Sequence, residues 1–158
     1  MPEYAWIISA AIGWIIFLFV VDWSRLKYTA WGGLIVVVLQ LLVDTTAYEL
    51  KLYEIEALFI FLGSSIFFTL GVVLSISILF TQTLPDSRLL QGINIVVISL
   101  LFYLEEELFV QVGALQYIHW NSAASFGVNI LVFTAFTWLV DALGLNRKGR
   151  KERGGFKL

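Results

Sequence analysis

Charged residues cluster along this chain and leave long apolar runs between them. Charge-free stretches cover 4–21, 28–43, 57–80, 89–104 and 108–140. A helix needs roughly 20 predominantly apolar residues to cross a bilayer core, with a working range of about 17–25. The first run fits the short end of that range. The second gains length if Asp44 and Thr45 continue the helix. The third rises ~36 Å at about 1.5 Å per residue, enough to tilt. The fourth stops at Glu105-Glu106-Glu107, and the last is too long for one span and is broken by Gly113 through Trp120. Backbone groups in lipid must be satisfied internally, so such runs are helices or barrel strands. Barrel strands alternate polar and apolar residues, whereas these runs are apolar throughout. The pattern predicts an all-α fold, a polytopic membrane helix bundle of five transmembrane helices at about 4–21, 28–45, 57–80, 89–110 and 122–143.

Composition supports lipid as the solvent. The 158 residues are 59% hydrophobic and only 14% charged, with mean hydropathy +0.88. Soluble domains carry about 25% charged residues. A net charge of −2, with ten basic residues that form no stripe, argues against a nucleic-acid partner. Cysteine is absent, which removes disulfides, thiolate zinc sites and thiol nucleophiles. The start, Met1-Pro2-Glu3-Tyr4, lacks the basic n-region of a secretory signal, so the first run reads as a retained helix.

Basic residues set a direction. Arg25, Lys27, Arg88, Arg147, Lys148, Arg150, Lys151, Arg153 and Lys157 fall on one side of a five-span chain, and Lys51 alone falls on the other. The positive-inside bias then predicts a multi-pass cell-membrane protein with its N-terminus outside and its C-terminus in the cytoplasm. Tyr4, Trp6, Tyr48, Tyr53, Tyr117 and Trp120 fall at the expected outer interface. Trp23, Tyr28, Trp31 and Trp138 fall near the inner one, and Trp14 and Tyr103 are expected between helices. Residues 1–145 are expected to form the bundle, and 146–158 a basic, disordered tail. Its Arg147, Lys148, Arg150 and Lys151 suit contact with anionic lipid. Small residues at Ser9 and Gly13, at Ala30, Gly32 and Gly33, and at Ala123 and Gly127 provide close-packing faces. A homo-oligomer, or another membrane protein as partner, is compatible with such faces.

Ionisable groups inside a membrane are costly and are functional candidates by default. Glu105, Glu106 and Glu107 are the foremost. Successive helix positions lie ~100° apart, so the three cannot share a face. Two readings stand: a solvated triplet at the outer boundary, or a buried carboxylate that binds a cation or proton. Asp44 is a second candidate, with Gln40 one turn earlier on the same stripe. Asn94, His119 and Asn129 are secondary polar candidates. One histidine without cysteine makes a weak case for a metal site. No Gly-rich phosphate cradle and no Ser/His/Asp set is recognisable, so no cofactor, metal or catalytic residue is assigned.

Several residues carry a likeness. Asp44 closes the second run, Leu52-Tyr53-Glu54 follows, and Leu84-Pro85-Asp86 makes a short loop. Then come Glu106-Glu107-Leu108-Phe109, Gly113, Tyr117, Trp120 and Ser125-Phe126. From Asp44 to the end of the fifth span, the chain resembles a family of small, uncharacterised five-span membrane proteins of endospore-forming Firmicutes. The resemblance implies the topology and a Bacillus-like host, and it singles out Glu106 as the family's acidic position. Glu107 departs from it, standing where the family often has proline. A fainter likeness, to small helical lycopene cyclase subunits, lacks their Pro-x-Glu-Glu pattern at Leu104-Glu105-Glu106-Glu107.

Three functional expectations follow. The first is a non-enzymatic accessory, envelope or sporulation component. The second is cation- or proton-coupled transport in an oligomer through Asp44 and Glu106. The third is a membrane enzyme acting on a lipid or isoprenoid, with a buried glutamate as acid.

Overall fold

The computed structural model describes residues 2–147. Five helices dominate: α1 (Glu3–Val20), α2 (Leu26–Glu49), α3 (Leu74–Thr83), α4 (Arg88–Gln111) and α5 (Ser122–Leu143). A π-helical stretch, Phe68–Val73, leads into α3. Three helical segments, Glu3–Val20, Trp23–Glu49 and Ser122–Leu143, are long and apolar enough to cross a membrane. Four short strands add to the helices: β1 (Tyr53–Ile55), β2 (Ile60–Phe61), β3 (Ser64–Ser65) and β4 (Leu115–Tyr117). They form two antiparallel ladders, β1 with β4 and β2 with β3. An all-α chain was the expectation from hydrophobic pattern; these strands are too short to leave a periodic signature.

The first, second, fourth and fifth helices fall where the apolar runs place them. The third does not. Residues 57–65 are read from sequence as the start of a span, but Ile60–Ser65 folds into the β2–β3 hairpin. Its turn uses Leu62 at φ 50 and Gly63 at φ 79. Gly63 is required there twice over. Its φ suits glycine, and a Cβ would lie 2.7 Å from the Asp44 carbonyl oxygen. The Thr45 hydroxyl fastens the turn by donating to the Leu62 carbonyl at 3.1 Å.

The short third helix sits centrally. Gly13 of α1 approaches Ser75, Gly32 of α2 approaches Thr81, and Gly33 approaches Ile78 and Leu74. Gly71, in the π-helical stretch, meets Ala10 of α1 just as closely. These small faces let α1 and α2 clasp α3, which is buried along most of its length. Ala123 and Gly127, by contrast, are exposed, and a Cβ at Gly127 would meet open space. Helix α5 packs against α2 and α4. A main core of Val36, Val73, Phe80, Ile95, Phe133, Phe136 and Val140 fills the middle. Outward, α4 shows a stripe of exposed apolar residues, Leu89, Ile93, Val96, Leu100, Leu104 and Leu108. Together with Ile8, Ile12, Ile15 and Phe19 of α1 they form an apolar exterior, the kind of surface that lipid rather than water covers.

One end of the bundle is locked by cations. Helix α5 ends at Gly144 in the left-handed conformation, and Leu145 N–H donates back to the Val140 carbonyl at 3.1 Å. This Schellman-type turn buries Leu145 and presents the Asn146 carbonyl to Arg25. Arg25 Nη2 donates to that carbonyl at 2.6 Å, and Nη1 to the Gln82 carbonyl at 2.9 Å. Arg88 pairs with Asp141 at 3.0 Å, and Gln91 and the Asn146 amide join the same carboxylate. Asn146, the first residue of the expected tail, is buried against the bundle. Arg147 pairs loosely with Asp86 at 4.0 Å. The lipid contacts expected of Lys148, Arg150 and Lys151 lie outside the described residues.

Candidate functional site: a carboxylate cavity between α2, α4 and α5

The opposite end is built from two similar units. Helix α2 ends in a turn where Leu52 N–H donates to the Ala47 carbonyl at 3.0 Å, with Lys51 left-handed at φ 52. Helix α4 ends the same way, with Ala114 N–H on the Phe109 carbonyl at 2.8 Å and Gly113 at φ 77. Each turn feeds a three-residue strand, and the two strands pair with Tyr53 opposite Tyr117. Each strand then returns its tyrosine to its own helix. Tyr53 donates to Asp44 Oδ1 at 2.8 Å, and Tyr117 donates to Glu106 Oε1 at 2.9 Å. The sheet is a common support for two tyrosine–carboxylate pairs.

Both carboxylates line one cavity of about 500 Å³. Asp44 is 5% exposed. Gln40, one turn earlier as expected, donates to Asp44 Oδ1 at 2.9 Å, and Ser64 of the hairpin supplies a further partner. Glu106 accepts a second bond, from Ser125 Oγ of α5 at 2.6 Å. Trp120 holds that hydroxyl in turn, with Nε1 at 2.6 Å from it. Among the described residues, every hydrogen bond to Glu106 ends on Oε1; none reaches Oε2.

The remaining wall is aromatic and aliphatic. Trp6 stacks on Phe109 with ring centroids 4.0 Å apart, and Phe68 meets Trp6, Phe102 and Phe109 edge-on at 5.7–6.1 Å. Trp6 is read from sequence as an interfacial aromatic, but it is buried here. Its indole N–H donates to the Glu56 carbonyl at 2.8 Å, which meets the requirement of a buried polar tip.

The glutamate triplet splits as helix geometry requires. Glu105 turns to α1, where the Ser9 hydroxyl donates to it. Glu106 turns into the cavity. Glu107 has a buried Oε1 with no partner. All three are half-buried. Asn129 also lines the cavity. Asn94 does not; its Nδ2 is buried without a partner elsewhere on α4. The His119 side chain is exposed and away from the cavity, while its backbone N–H joins the Leu52 carbonyl at 3.0 Å. Trp14, expected between helices, is 38% exposed on α1.

Among the described residues no cation pairs with these acids. Among the described residues the ion pairs are Arg88–Asp141 and Arg147–Asp86, both at the other end. No group of three or more His, Asp or Glu side chains is placed to hold a metal ion. The tyrosines keep their protons. Burial raises Tyr117, and the Glu106 carboxylate adds to the effect, up to about 12. Tyr53 is raised further, first by burial and then by the charge of Asp44. Both phenols therefore stay donors across the physiological range.

Sequence reasoning found Asp44, Gln40, Glu106 and Asn129, but not Tyr53, Tyr117, Ser125 and Trp120 as their partners. The repeated Tyr beyond each acidic helix end was the available signal. No family model, curated protein or solved structure matches the chain.

Proposed function

We propose that the chain is a five-span, multi-pass protein of the cell membrane, with its N-terminus outside and its C-terminus in the cytoplasm. Its outer-end cavity is a cation- or proton-exchanging site formed by Asp44 and Glu106. One observation carries the reading: two partly or fully buried carboxylates from distant helices converge on one cavity, and among the described residues no basic side chain pairs with them. A charge taken out of water needs a counter-charge or a proton. A cavity that supplies neither from the protein has to take one from outside. The site has hydrogen-bond donors to orient the carboxylates but no nucleophile–base pair, which favours binding and exchange over catalysis.

Five helices are few for a single-chain carrier, so transport in this reading belongs to an oligomer. The distribution of basic residues supports the orientation. A C-terminal reporter active only outside the membrane would overturn it.

Proteoliposomes carrying a trapped pH-sensitive dye, with valinomycin and potassium to clamp the potential, test the site. An external acid step is expected to acidify wild-type vesicles several-fold faster than Glu106→Gln or Asp44→Asn vesicles. Equal rates for wild type and both variants would remove the two acids from the reading.

A further inference from the structure

The cavity that exchanges cations or protons is also shaped for a particular kind of cation. Two carboxylates offer few charged oxygens, and the other polar side chains of the wall, Gln40, Tyr53, Ser64, Ser125 and Asn129 among them, are neutral. A bare metal ion entering it would exchange a full hydration shell for two carboxylates, a few neutral oxygens and apolar rings. Divalent ions take six or more oxygen ligands, and among the described residues no three acids are placed to hold a metal ion together. The volume of about 500 Å³ is that of a small organic molecule rather than of a dehydrated ion.

The wall chemistry agrees. Trp6, Phe68, Phe102 and Phe109 form one continuous aromatic surface beside the acids. Aromatic faces attract ammonium groups and cover apolar carbon. At the polar side, the tyrosine, serine and glutamine donors crowd onto Asp44 Oδ1 and Glu106 Oε1. Glu106 Oε2 is left without a donor, so it is an acceptor in search of one. An ammonium has three N–H donors and no acceptor. It therefore complements an unfilled carboxylate oxygen and cannot be replaced there by a hydroxyl without loss of charge pairing.

We propose that the Asp44–Glu106 cavity binds an organic amine, with its ammonium on the carboxylates and its apolar body against the aromatic wall. The inference rests on the exchange site proposed above and adds the class of ligand. Binding is electrostatic at one end and apolar at the other, and protons compete for the same oxygens.

Isothermal titration of the full chain in nanodiscs tests this, with 2-phenylethylamine, its uncharged counterpart 2-phenylethanol, and KCl as probes. Empty nanodiscs correct for partition into lipid. The amine is expected to bind at pH 8 at least tenfold more tightly than the alcohol, and to weaken at least tenfold by pH 5. Asp44→Asn and Glu106→Gln are each expected to lose tenfold or more for the amine while leaving the alcohol unchanged. Unchanged thermal unfolding of the variants guards against misfolding. Equal binding of amine and alcohol, or amine binding unaffected by either variant, overturns the amine assignment. If the amine fails but proton movement in vesicles still depends on Glu106, the ligand class falls and the exchange site stands. If vesicle proton movement is also indifferent to both acids, both readings fall together. Tighter binding of KCl than of the amine likewise overturns the organic ligand.

Discussion

The two ends of the bundle treat buried charge in opposite ways. At the basic end, Arg25 terminates on the Gln82 and Asn146 carbonyls, and Arg88, Gln91 and Asn146 surround Asp141. Both Arg25 Nη groups, Arg88 Nη1 and the Asp141 carboxylate there have partners. At the acidic end, Asp44 and Glu106 face a cavity with neutral donors and no cation among the described residues. A matched network serves stability, because removing one partner strands the others. An unmatched one is stable only with a proton or a ligand. Under the proposed function, one end is thus a lock and the other a binding site.

Substitutions at the two ends separate these roles most strongly. Arg25→Ala is expected to destabilise the protein by about 3–6 kcal/mol, since two charge-assisted bonds of roughly 1.5–3 kcal/mol each are lost. Glu106→Gln, which keeps the shape and removes an uncompensated charge, is expected within about 1 kcal/mol of wild type. Unfolding in SDS, followed by circular dichroism, measures both. A larger loss for Glu106→Gln than for Arg25→Ala would erase the distinction between the two ends.

A smaller effect tests how tightly the acidic end is built. Gly63→Ala combines a left-handed φ of 79 with a Cβ 2.7 Å from the Asp44 carbonyl oxygen. Its expected cost is about 2–3 kcal/mol. Gly113→Ala, at φ 77 but with open space around it, is expected to cost only about 1 kcal/mol. Their difference isolates the crowding of the hairpin on α2. If the two cost the same, the β2–β3 turn does not press on Asp44.

The smallest effect reads the electrostatics directly. Tyr117 is held up to about 12 in the folded protein, above its ordinary value of 10.0. A phenol with a raised folded value stabilises fully below pH ~10 and loses that contribution as pH rises through about 12. Tyrosinate absorbance against pH is expected to show Tyr117 ionising earlier in Glu106→Gln than in wild type, because the neighbouring negative charge is gone. Identical curves would mean that burial alone sets the value and that Glu106 is neutral in the wild type.

Much of the frame was legible in the sequence, for a physical reason. Four of the five helices follow from uninterrupted apolar runs, since an apolar stretch of span length has few other places to go. Gly113 marked the end of α4, because a left-handed residue after a helix favours glycine. Gln40 and Asp44 were legible as neighbours through helical spacing alone. The third run was misleading because hydropathy does not separate an apolar hairpin from an apolar helix. Ile60, Phe61, Leu62 and Ile66 read as span residues, and only the fit of Gly63 against α2 makes a turn there.

The sequence by itself determined four of the five helical segments, which end is basic, and that acids cluster away from it. Those properties are local or additive, so they survive without coordinates. Tertiary structure alone decided that Glu106, and neither Glu105 nor Glu107, faces the cavity with Asp44. The helix phase of α4, the strand pairing that sets Tyr53 opposite Tyr117, and the approach of Ser125 from α5 fix that choice. Each joins residues far apart in the chain, and no periodicity in a single sequence encodes such a meeting.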